Sequence, residues 1–338
     1  MEKHQIEAVK ELLSAPKEIV IIPHKNPDGD AIGSVLGLGL FLESENHKVS
    51  IIAPNDYPDF LKWMPNEASI LKFEDASDKC NERIQQADII FTLDFNSLSR
   101  IDFMETAVSS ADAIKIMIDH HQQPDTYAKF MYSDVKMSST CEMVYNFIEF
   151  LDGTDSITAN IATCLYTGIM TDTGSFRFPS TTSSTHRVIG KLIDKGANNA
   201  DIHNHIYDAN SYNRLQLLGR ALSNLEVLKE YRTAYITLSQ DELNQFDFKK
   251  GDTEGFVNYG LSLKDIIFAV IFIENKQDDI VKISFRSKGD FSVNHFARKH
   301  FEGGGHTNAA GGKSDLNLEK TVEKFITILP RYKNDLNS

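Results

Sequence analysis

Short, almost wholly apolar runs alternate with helical patterns in the N-terminal part of the chain. Four of these runs have the length and the β-branched character of buried strands: 19–22, 49–53, 88–94 and 114–121. Between them, Ala31–Glu45 and the shorter stretch Asp102–Ser110 have the apolar spacing of helices. This alternation predicts βαβ units and a mostly parallel sheet, that is, an α/β fold.

From Ser138 onward the pattern is helical, and beyond about residue 228 it becomes strand-like again. Five helices are predicted first: Cys141–Leu151, Ser156–Met170, Ser183–Lys195, Ala200–Tyr207 and Ser211–Leu228. Three strands and two helices follow: Thr233–Leu238, Ile266–Ile273, Ile280–Phe285, Val293–His300 and Leu318–Leu329. We therefore predict an N-terminal parallel-sheet domain (1–200), a helical linker (201–227) and a smaller C-terminal α/β domain (228–335).

Composition and charge narrow the class of protein. The three cysteines are scattered and lack a CxxC spacing, which favours a reduced compartment over a disulfide framework or a thiolate zinc site. Because neither a secretory signal nor an apolar run of roughly 18 residues stands out, we predict a cytoplasmic protein without a membrane partner. The net charge of −13 favours a small anionic substrate over a stable complex with long nucleic acid.

Acidic residues and histidines follow three of the predicted strands. The first strand is followed by the segment HKNPDGD at 24–30, the 88–94 strand ends in Asp94, and the 114–121 strand ends in Asp119, His120 and His121. Ligands of an open α/β sheet bind outside the carboxyl ends of its parallel strands. Side chains from three separate strand ends are therefore expected to converge on one site.

Each of these acids also has a structural interpretation when it is taken alone. Asn-Pro and Asp-Gly are common turn dipeptides, so Asp28 could simply cap the next helix. Asp94 could be a turn residue. Asp172 is different, because it ends an apolar helix, where a negative charge is unfavourable against the helix dipole and a bound cation would compensate it.

Taken together, these residues predict a metal site. The candidate ligands are His24, Asp28, Asp30, Asp94, His120 and Asp172. Four converging carboxylates raise one another's pKa, and two divalent cations would balance their charge. Carboxylate and imidazole ligands suit Mn²⁺ or Mg²⁺, with Zn²⁺ and Fe²⁺ as alternatives. Two metals roughly 3.5–4 Å apart activate water and hold a transferring phosphoryl group, so the expected chemistry is phosphoester hydrolysis.

The order of these motifs resembles that of the DHH phosphoesterases. The likeness rests on HxNPDGD at 24–30, Asp94, the triplet at 119–121 and TGxxTDTGxF at 167–176. The segments Ser284–Ser287 and Gly303–His306 resemble the DHH-associated C-terminal domain of the same proteins. Nearly the whole chain is covered, and it most resembles the bifunctional oligoribonuclease (nanoRNase) and pAp phosphatase group, where pAp is 3′-phosphoadenosine 5′-phosphate.

The resemblance implies a role for each candidate residue in the metal site. One metal would be held by His24, Asp28 and Asp94, and the other by Asp30, Asp94, His120 and Asp172, so that Asp94 bridges the two. The residues implied in catalysis are Asp94, Asp119 and His121. Of these, Asp119 would orient His120, and His121 would face the substrate phosphate.

The resemblance also implies phosphate-binding residues in the second domain. Arg286 and His306 would bind the phosphate, since a guanidinium matches phosphate oxygens bidentately. The glycines Gly303, Gly304 and Gly305 would let backbone N–H groups approach the substrate, although such a run can also be a flexible turn. In the first domain, Arg100 follows Asp94 closely enough to reach a phosphate, with a surface salt bridge as the alternative.

We therefore predict a phosphoesterase with two divalent ions, Mn²⁺ or else Mg²⁺, that cuts short oligoribonucleotides to mononucleotides and pAp to AMP. Related alternatives are hydrolysis of linear dinucleotides such as pApA and a RecJ-like single-strand exonuclease. Family II pyrophosphatases share the metal motifs but not this second domain, and a non-catalytic nucleotide-binding module would need a broken ligand set. The physiological substrate, the polarity of cleavage, the resident metal and the oligomeric state, including a homodimer, are left open.

Overall fold

The predicted α/β fold, with a parallel-sheet N-terminal part and a second, smaller sheet, is confirmed. The computed structural model describes residues 1–337 and divides the chain into two compact units, Met1–Ala209 and a second unit that begins at Asn210. Among the described residues, no helix combines the length and the apolar character that crossing a membrane requires.

The first unit is built on six parallel strands with helices between them. The strands are β1 (Glu18–Ile22), β2 (Lys48–Ala53), β3 (Leu71–Lys72), β4 (Ile89–Leu93), β5 (Ile114–Asp119) and β6 (Phe130–Ser133). The helices are α1 (Lys3–Leu12), α2 (Gly29–Ser44), α3 (Phe73–Gln86), α4 (Glu105–Ser110), α5 (Thr140–Phe150), α6 (Ala159–Asp172), α7 (Ser183–Asp194) and α8 (Asn199–His203).

The strand order of the first sheet places a switch point next to its first strand. The order is β3-β2-β1-β4-β5-β6, so the chain leaves β1 first towards one edge and later returns to build the other. In register, Val20 pairs with Ser50 on one side and with Ile90 on the other. Because a crevice opens where connections diverge in this way, the carboxyl ends of β1 and β4 are the expected place for a ligand.

Both faces of this sheet are buried, which explains the continuous apolar runs in the sequence. Alternate residues of β1 enter different apolar clusters, with Ile19 and Ile21 on one face and Val20 and Ile22 on the other. Helix α2 packs against α5 and α6 and is buried on almost all sides. A helix that is apolar all round is suited to that position.

Some elements differ from the prediction. The strands β3 and β6 and the helix α3 were not predicted, because short strands and a strongly polar helix give a weak periodic signal. The predicted helix Ser211–Leu228 was too long at its C-terminus. Helix α9 (Tyr212–Ser223) ends where the Asn224 side chain donates to the carbonyl of Thr237 at 2.9 Å, and the chain continues as a strand.

The second unit is a six-stranded mixed sheet with short helices. Its strands are β7 (Glu226–Leu228), β8 (Thr233–Leu238), β9 (Phe268–Asn275), β10 (Ile280–Ser287), β11 (Gly304–Gly305) and β12 (Ala309–Ser314), in the order β11-β12-β10-β9-β8-β7. Only β8 and β9 pair in parallel among the described strands of this sheet. After α9 come α10 (Gln240–Gln245), α11 (Val257–Ser262), α12 (Val293–His300), α13 (Leu318–Ile328) and α14 (Lys333–Asn337).

Candidate metal centre

The six predicted ligands lie together at the carboxyl edge of the first sheet. They come from the ends of three strands and from two helix termini. His24 follows β1, Asp94 follows β4 directly, and His120 follows β5. Asp28 and Asp30 lie at the N-terminus of α2, and Asp172 is the last residue of α6.

A first group of ligands surrounds the ring of His24. Its Nε2 atom lies 3.4 Å from Oδ2 of Asp94 and 3.9 Å from Oδ2 of Asp28. Its Nδ1 atom lies 2.8 Å from the carbonyl oxygen of Lys25. Since a carbonyl only accepts hydrogen bonds, Nδ1 is the donor there, and Nε2 faces the two carboxylates.

A second group surrounds the ring of His120. Its Nε2 atom lies 3.5 Å from Oδ1 of Asp94, 3.5 Å from Oδ2 of Asp172 and 3.8 Å from Oδ2 of Asp30. Asp94 therefore faces both histidines, with Oδ2 towards His24 and Oδ1 towards His120. One carboxylate that presents a different oxygen to each of two ligand groups has the geometry of a bridging ligand.

Asp28 combines the two interpretations that its sequence context allowed. Its Oδ1 atom accepts hydrogen bonds from the backbone N–H groups of Asp30 and Ala31, both at 3.1 Å, and so caps α2. Its Oδ2 atom is directed to His24. The capping bond fixes the orientation of the carboxylate, so capping and ligation support each other.

Asp30 is fixed by the N-terminus of another helix, α5. Its carboxylate accepts from the backbone N–H of Thr140 at 2.6 Å and from that of Cys141 at 2.8 Å. The hydroxyl of Thr140 donates to Oδ1 of Asp94 at 2.8 Å. Helix N-termini attract negative charge, so α5 holds two of the ligands in place. The sequence analysis missed Thr140, although Ser-Ser-Thr before an apolar run is a signal for a helix start.

Burial and mutual charge act strongly on this cluster. Burial raises the pKa of Asp30 well above its usual range, and the charges of Asp94 and Asp172 raise it further. Burial also raises the pKa of Asp172 to about 6. Burial opposes ionisation of Asp94 too, but hydrogen bonds with His120 and His24 outweigh it and hold its pKa well below the usual range.

The pKa values of the two histidines are raised as well, although burial acts on them in the opposite sense. Burial alone would lower the pKa of His120, but the hydrogen bond with Asp94 and the charge of Asp172 outweigh burial and raise this pKa well above its usual value. The same balance of burial against Asp94 raises the pKa of His24. Protons on these residues therefore offset the negative charge of the clustered carboxylates, and bound divalent cations can offset the same charge.

The donor set fits divalent cations. Within the group of His24, Asp28 and Asp94 the ligand atoms lie within 4.8 Å of one another, and the same holds for Asp30, His120 and Asp172. Oxygen and imidazole nitrogen are the donors. The nearby thiol of Cys141 donates to the backbone carbonyl of Asp30 at 3.4 Å, and burial raises its pKa well above the usual range, so it remains a thiol.

In the second unit, Arg286 and His306 are close to the same residue of β12. Arg286 on β10 pairs with Ala309, and the backbone N–H of His306 donates to the carbonyl of Ala309 at 2.7 Å. Both side chains are half-buried. The guanidinium of Arg298 on α12 lies beside β11, with its Nε atom 3.6 Å from the point where a Cβ of Gly304 would stand, and it was not predicted.

The glycine run is an ordered edge strand and not a flexible turn. β11 pairs with β12 through Gly304 opposite Gly311. A Cβ on Gly303 would lie 2.0 Å from the carbonyl oxygen of Gly311, which no side chain can tolerate. Gly305 has a φ of +146°, a conformation that disfavours other residues. Gly303 and Gly305 are therefore required for the backbone of this edge.

Comparisons with known proteins decide the family. Residues 18–169 match the DHH family, N-terminal domain, and residues 231–332 match the DHHA1 domain. The bifunctional oligoribonuclease and PAP phosphatase NrnA of Thermus thermophilus is 32% identical, over 94% of this chain and 91% of its own length. This chain belongs to the DHH family.

Further relatives agree with that membership. The bifunctional oligoribonuclease and PAP phosphatase NrnA of Bacillus subtilis is 29% identical over 87% of this chain and 88% of its own length. The crystal structure of an exopolyphosphatase-related protein from Bacteroides fragilis superposes with a TM-score of 0.96 at 41% identity, covering 100% of this chain and 98% of that one. The predicted family, hydrolytic phosphoesterase class and use of divalent metal are confirmed at the level of this family.

One role implied by the resemblance is different in this DHH protein. Asp119 was expected to orient His120, but its Oδ1 atom accepts from Nδ1 of His121 at 2.7 Å. The Nδ1 atom of His120 instead lies 3.2 Å from the carbonyl of Met137. Asp119 therefore positions His121.

Arg100 lies near the first ligand group. Its backbone carbonyl accepts from the N–H of Lys25 at 2.8 Å. Burial and the charge of Arg100 both lower the pKa of His24, but the hydrogen bond with Asp94 and the charges of Asp28 and Asp94 outweigh them. Its side chain is half-buried. A contact between Arg100 and a substrate phosphate remains a prediction.

Thr140→Val is expected to weaken Mn²⁺ binding by about 10- to 100-fold, the usual cost of removing a hydrogen-bond partner of a metal ligand. The change keeps the shape of the side chain and removes the donor to Asp94. Isothermal titration calorimetry with Mn²⁺ measures the affinity, and Thr140→Ser, which retains the hydroxyl, should restore it. Thr167→Val is the matched control, because that buried hydroxyl donates to the Thr163 carbonyl of its own helix. Equal Mn²⁺ affinity in Thr140→Val and wild type would contradict the positioning role.

Proposed function

We propose that this DHH phosphoesterase hydrolyses short oligoribonucleotides to mononucleotides and pAp to AMP, with water activated between two divalent ions. The observation that carries the proposal is the placement of Asp94, with one oxygen towards His24 and the other towards His120. The substrate classes come from the relatives described above, which are oligoribonucleases and PAP phosphatases. The proposed ions are Mn²⁺, with Mg²⁺ as the alternative.

Each proposed ion has its own set of ligands. One set consists of His24, Asp28 and Asp94, and the other consists of Asp30, Asp94, His120 and Asp172. Divalent ions bound in this way supply an activated water and neutralise charge on the phosphoryl oxygens. The grouping of ligand atoms within 4.8 Å supports the first set and three members of the second, and Asp94 joins the second set through its oxygen 3.5 Å from His120.

The remaining proposed roles belong to side chains of the chain itself. His121 is held by the buried carboxylate of Asp119, so its ring enters the site in one orientation, and we assign it to the substrate phosphate. In the DHHA1 domain, Arg286 and His306 are the proposed phosphate-binding pair. The backbone N–H groups of Gly303–Gly305 are proposed to approach the substrate.

A panel of substrates tests the proposal directly. The panel contains pAp, RNA of two to five nucleotides, pApA, pyrophosphate and a long single strand, each with Mn²⁺ and with Mg²⁺. We expect the highest kcat/KM for the short RNAs and for pAp. Preference for pApA over both would make linear dinucleotides the substrate, and preference for pyrophosphate or for the long strand would refute the proposal.

The rate per chain end is expected to be highest for RNA of about two to five nucleotides and to fall for longer strands, since local contacts gain nothing from a longer polyanion. With a net charge of −13, the protein as a whole repels extended polyanions, and salt screens that repulsion. Steady-state kinetics on single strands of increasing length, at low and moderate salt, measure this. Tighter binding of a long strand than of a trimer, with a steep salt dependence, would support a RecJ-like activity instead.

We also propose that the protein works in the cytoplasm. Cys80, Cys141 and Cys164 are all buried free thiols, and burial raises the pKa of each, which suits a reducing compartment. A homodimer remains a prediction, and light scattering of the purified protein measures the mass that decides it.

A further inference from the structure

A large aromatic side chain is exposed to water close to the metal centre. Phe103 is 81% exposed, whereas its neighbours Ile101 and Met104 are fully buried. It lies in a short 3₁₀ segment, Leu98–Met104, that follows β4 in the chain. The Phe103 side chain is therefore not part of the hydrophobic core.

The backbone is strained where it turns this ring outward. Asp102 has φ 50° and ψ −121°, a combination that is normally open only to glycine. Its carboxylate forms an ion pair with Lys25, and the Nζ atom of Lys25 lies 5.8 Å from the centroid of the Phe103 ring. Residues held in such conformations concentrate at binding sites. The backbone at Asp102 directs the next side chain, Phe103, outward, and Lys25 lies beside its ring.

The ring borders a small cleft at the same sheet edge as the metal ligands. The cleft has a volume of about 130 Å³, and its lining includes Lys25, Asn55, Glu74, Asp102 and Phe103. Its walls come from the segments that follow β1, β2, β3 and β4, and β1 and β4 are also two of the strands that the metal ligands follow. Lys25 directly follows the ligand His24 in the chain, and its backbone N–H donates at 2.8 Å to the carbonyl of Arg100 in the segment that carries Phe103, so the cleft borders the first ligand group.

The charges around the cleft favour a neutral, flat group with hydrogen-bond donors. The carboxylates of Asp102 and Glu74 disfavour a phosphate there, and the single cation, Lys25, is already paired with Asp102. Carboxylate oxygens accept from the amino groups of bases. A base also stacks on an exposed aromatic ring, whatever its sequence.

We propose that Phe103 and Lys25 form a binding site for the base of the nucleotide whose phosphate is held at the metal centre. The inference rests on the proposed function, since it takes a nucleotide as the substrate. The base stacks on the Phe103 ring, and the backbone torsions of Asp102 present that ring at the surface before the substrate arrives. Preorganisation of this kind lowers the ordering cost of binding.

Binding of 5′-AMP and of ribose 5-phosphate to the metal-loaded protein tests the base site. Both ligands carry the phosphate, but only AMP carries a base. We expect wild type to bind AMP more tightly, and Phe103→Ala to lose about tenfold in AMP affinity while its affinity for ribose 5-phosphate stays the same. Phe103→Trp should retain AMP binding, and Phe103→Leu should resemble the alanine variant because it has no ring.

Ile193→Ala, a change at another exposed apolar side chain of the first unit, is the control and should bind both ligands as wild type does. An unchanged ratio of the two affinities in Phe103→Ala, or no preference for AMP in wild type, would overturn the base site. A lower molecular mass of Phe103→Ala in light scattering, with unchanged AMP affinity, would assign the ring to contact between copies of the chain instead. If AMP binding depends on Phe103 but short RNA and pAp are not hydrolysed, the proposed function fails while the base site stands.

Discussion

Replacing Asp94 by alanine is expected to abolish hydrolysis and to lower the metal content of the purified protein. Asp94 is 2% exposed and faces both His24 and His120, so its loss removes a ligand from each group at once. The effect should exceed the about 10- to 100-fold loss that follows when only an outer partner of a metal ligand is removed. Elemental analysis measures the metal, and circular dichroism checks that the fold is intact.

Asp155→Ala is the matched control, because Asp155 is a fully exposed aspartate in the same unit. That variant should keep its metal and its activity. Two ions bound to Asp94→Ala, or activity within tenfold of wild type, would contradict the assignment of Asp94 as the bridging ligand.

Arg286→Ala and His306→Ala are expected to keep their metal and to lose kcat/KM. Hydrogen bonds to a charged phosphate are among the stronger ones, at about 1.5–3 kcal/mol each. Removal of either side chain should therefore lower kcat/KM by about 10- to 100-fold. Steady-state kinetics with pAp, together with elemental analysis of the same samples, separate phosphate binding from metal binding.

Two exposed residues of the second unit serve as controls for these variants, Arg331→Ala for the arginine and His295→Ala for the histidine. Both should behave as wild type. Loss of metal from Arg286→Ala or His306→Ala would instead make that residue part of the metal centre. Full activity in either would remove it from the proposed phosphate-binding pair.

The six candidate metal ligands could be named from the sequence because each follows from a local pattern. His24, Asp94 and His120 come directly after apolar strands, and a parallel sheet brings the carboxyl ends of its strands to one edge. Asp172 was identified because an acid is unfavourable at the C-terminus of a helix. Neither argument requires a known contact between distant residues. The carboxyl ends of parallel strands lie at one edge of the sheet whatever the order of the strands, and the order changes only the distances between those ends.

The partners of those ligands were not predictable. Thr140 lies 110 positions from Asp30 in the chain, and only the packing of α5 beside α2 brings its N–H to that carboxylate. The resemblance paired Asp119 with His120, but its carboxylate accepts from His121, and the order of residues in the chain does not reveal which of two adjacent rings faces it. Both cases depend on individual hydrogen bonds, of 2.6 Å at Asp30 and 2.7 Å at Asp119, and the periodic pattern of apolar residues in the sequence does not predict such bonds.

The sequence by itself determined the two-part α/β architecture, the family and the acids and histidines of the metal centre, because apolar periodicity and strand-end position are local properties of the chain. Tertiary structure alone decided how these groups are held. It oriented Asp94 between two histidines, ordered the glycines of β11 against β12, and turned Phe103 outward through the strained backbone of Asp102. These outcomes depend on side-chain directions and backbone torsions, which are set by contacts between segments that are far apart in the sequence.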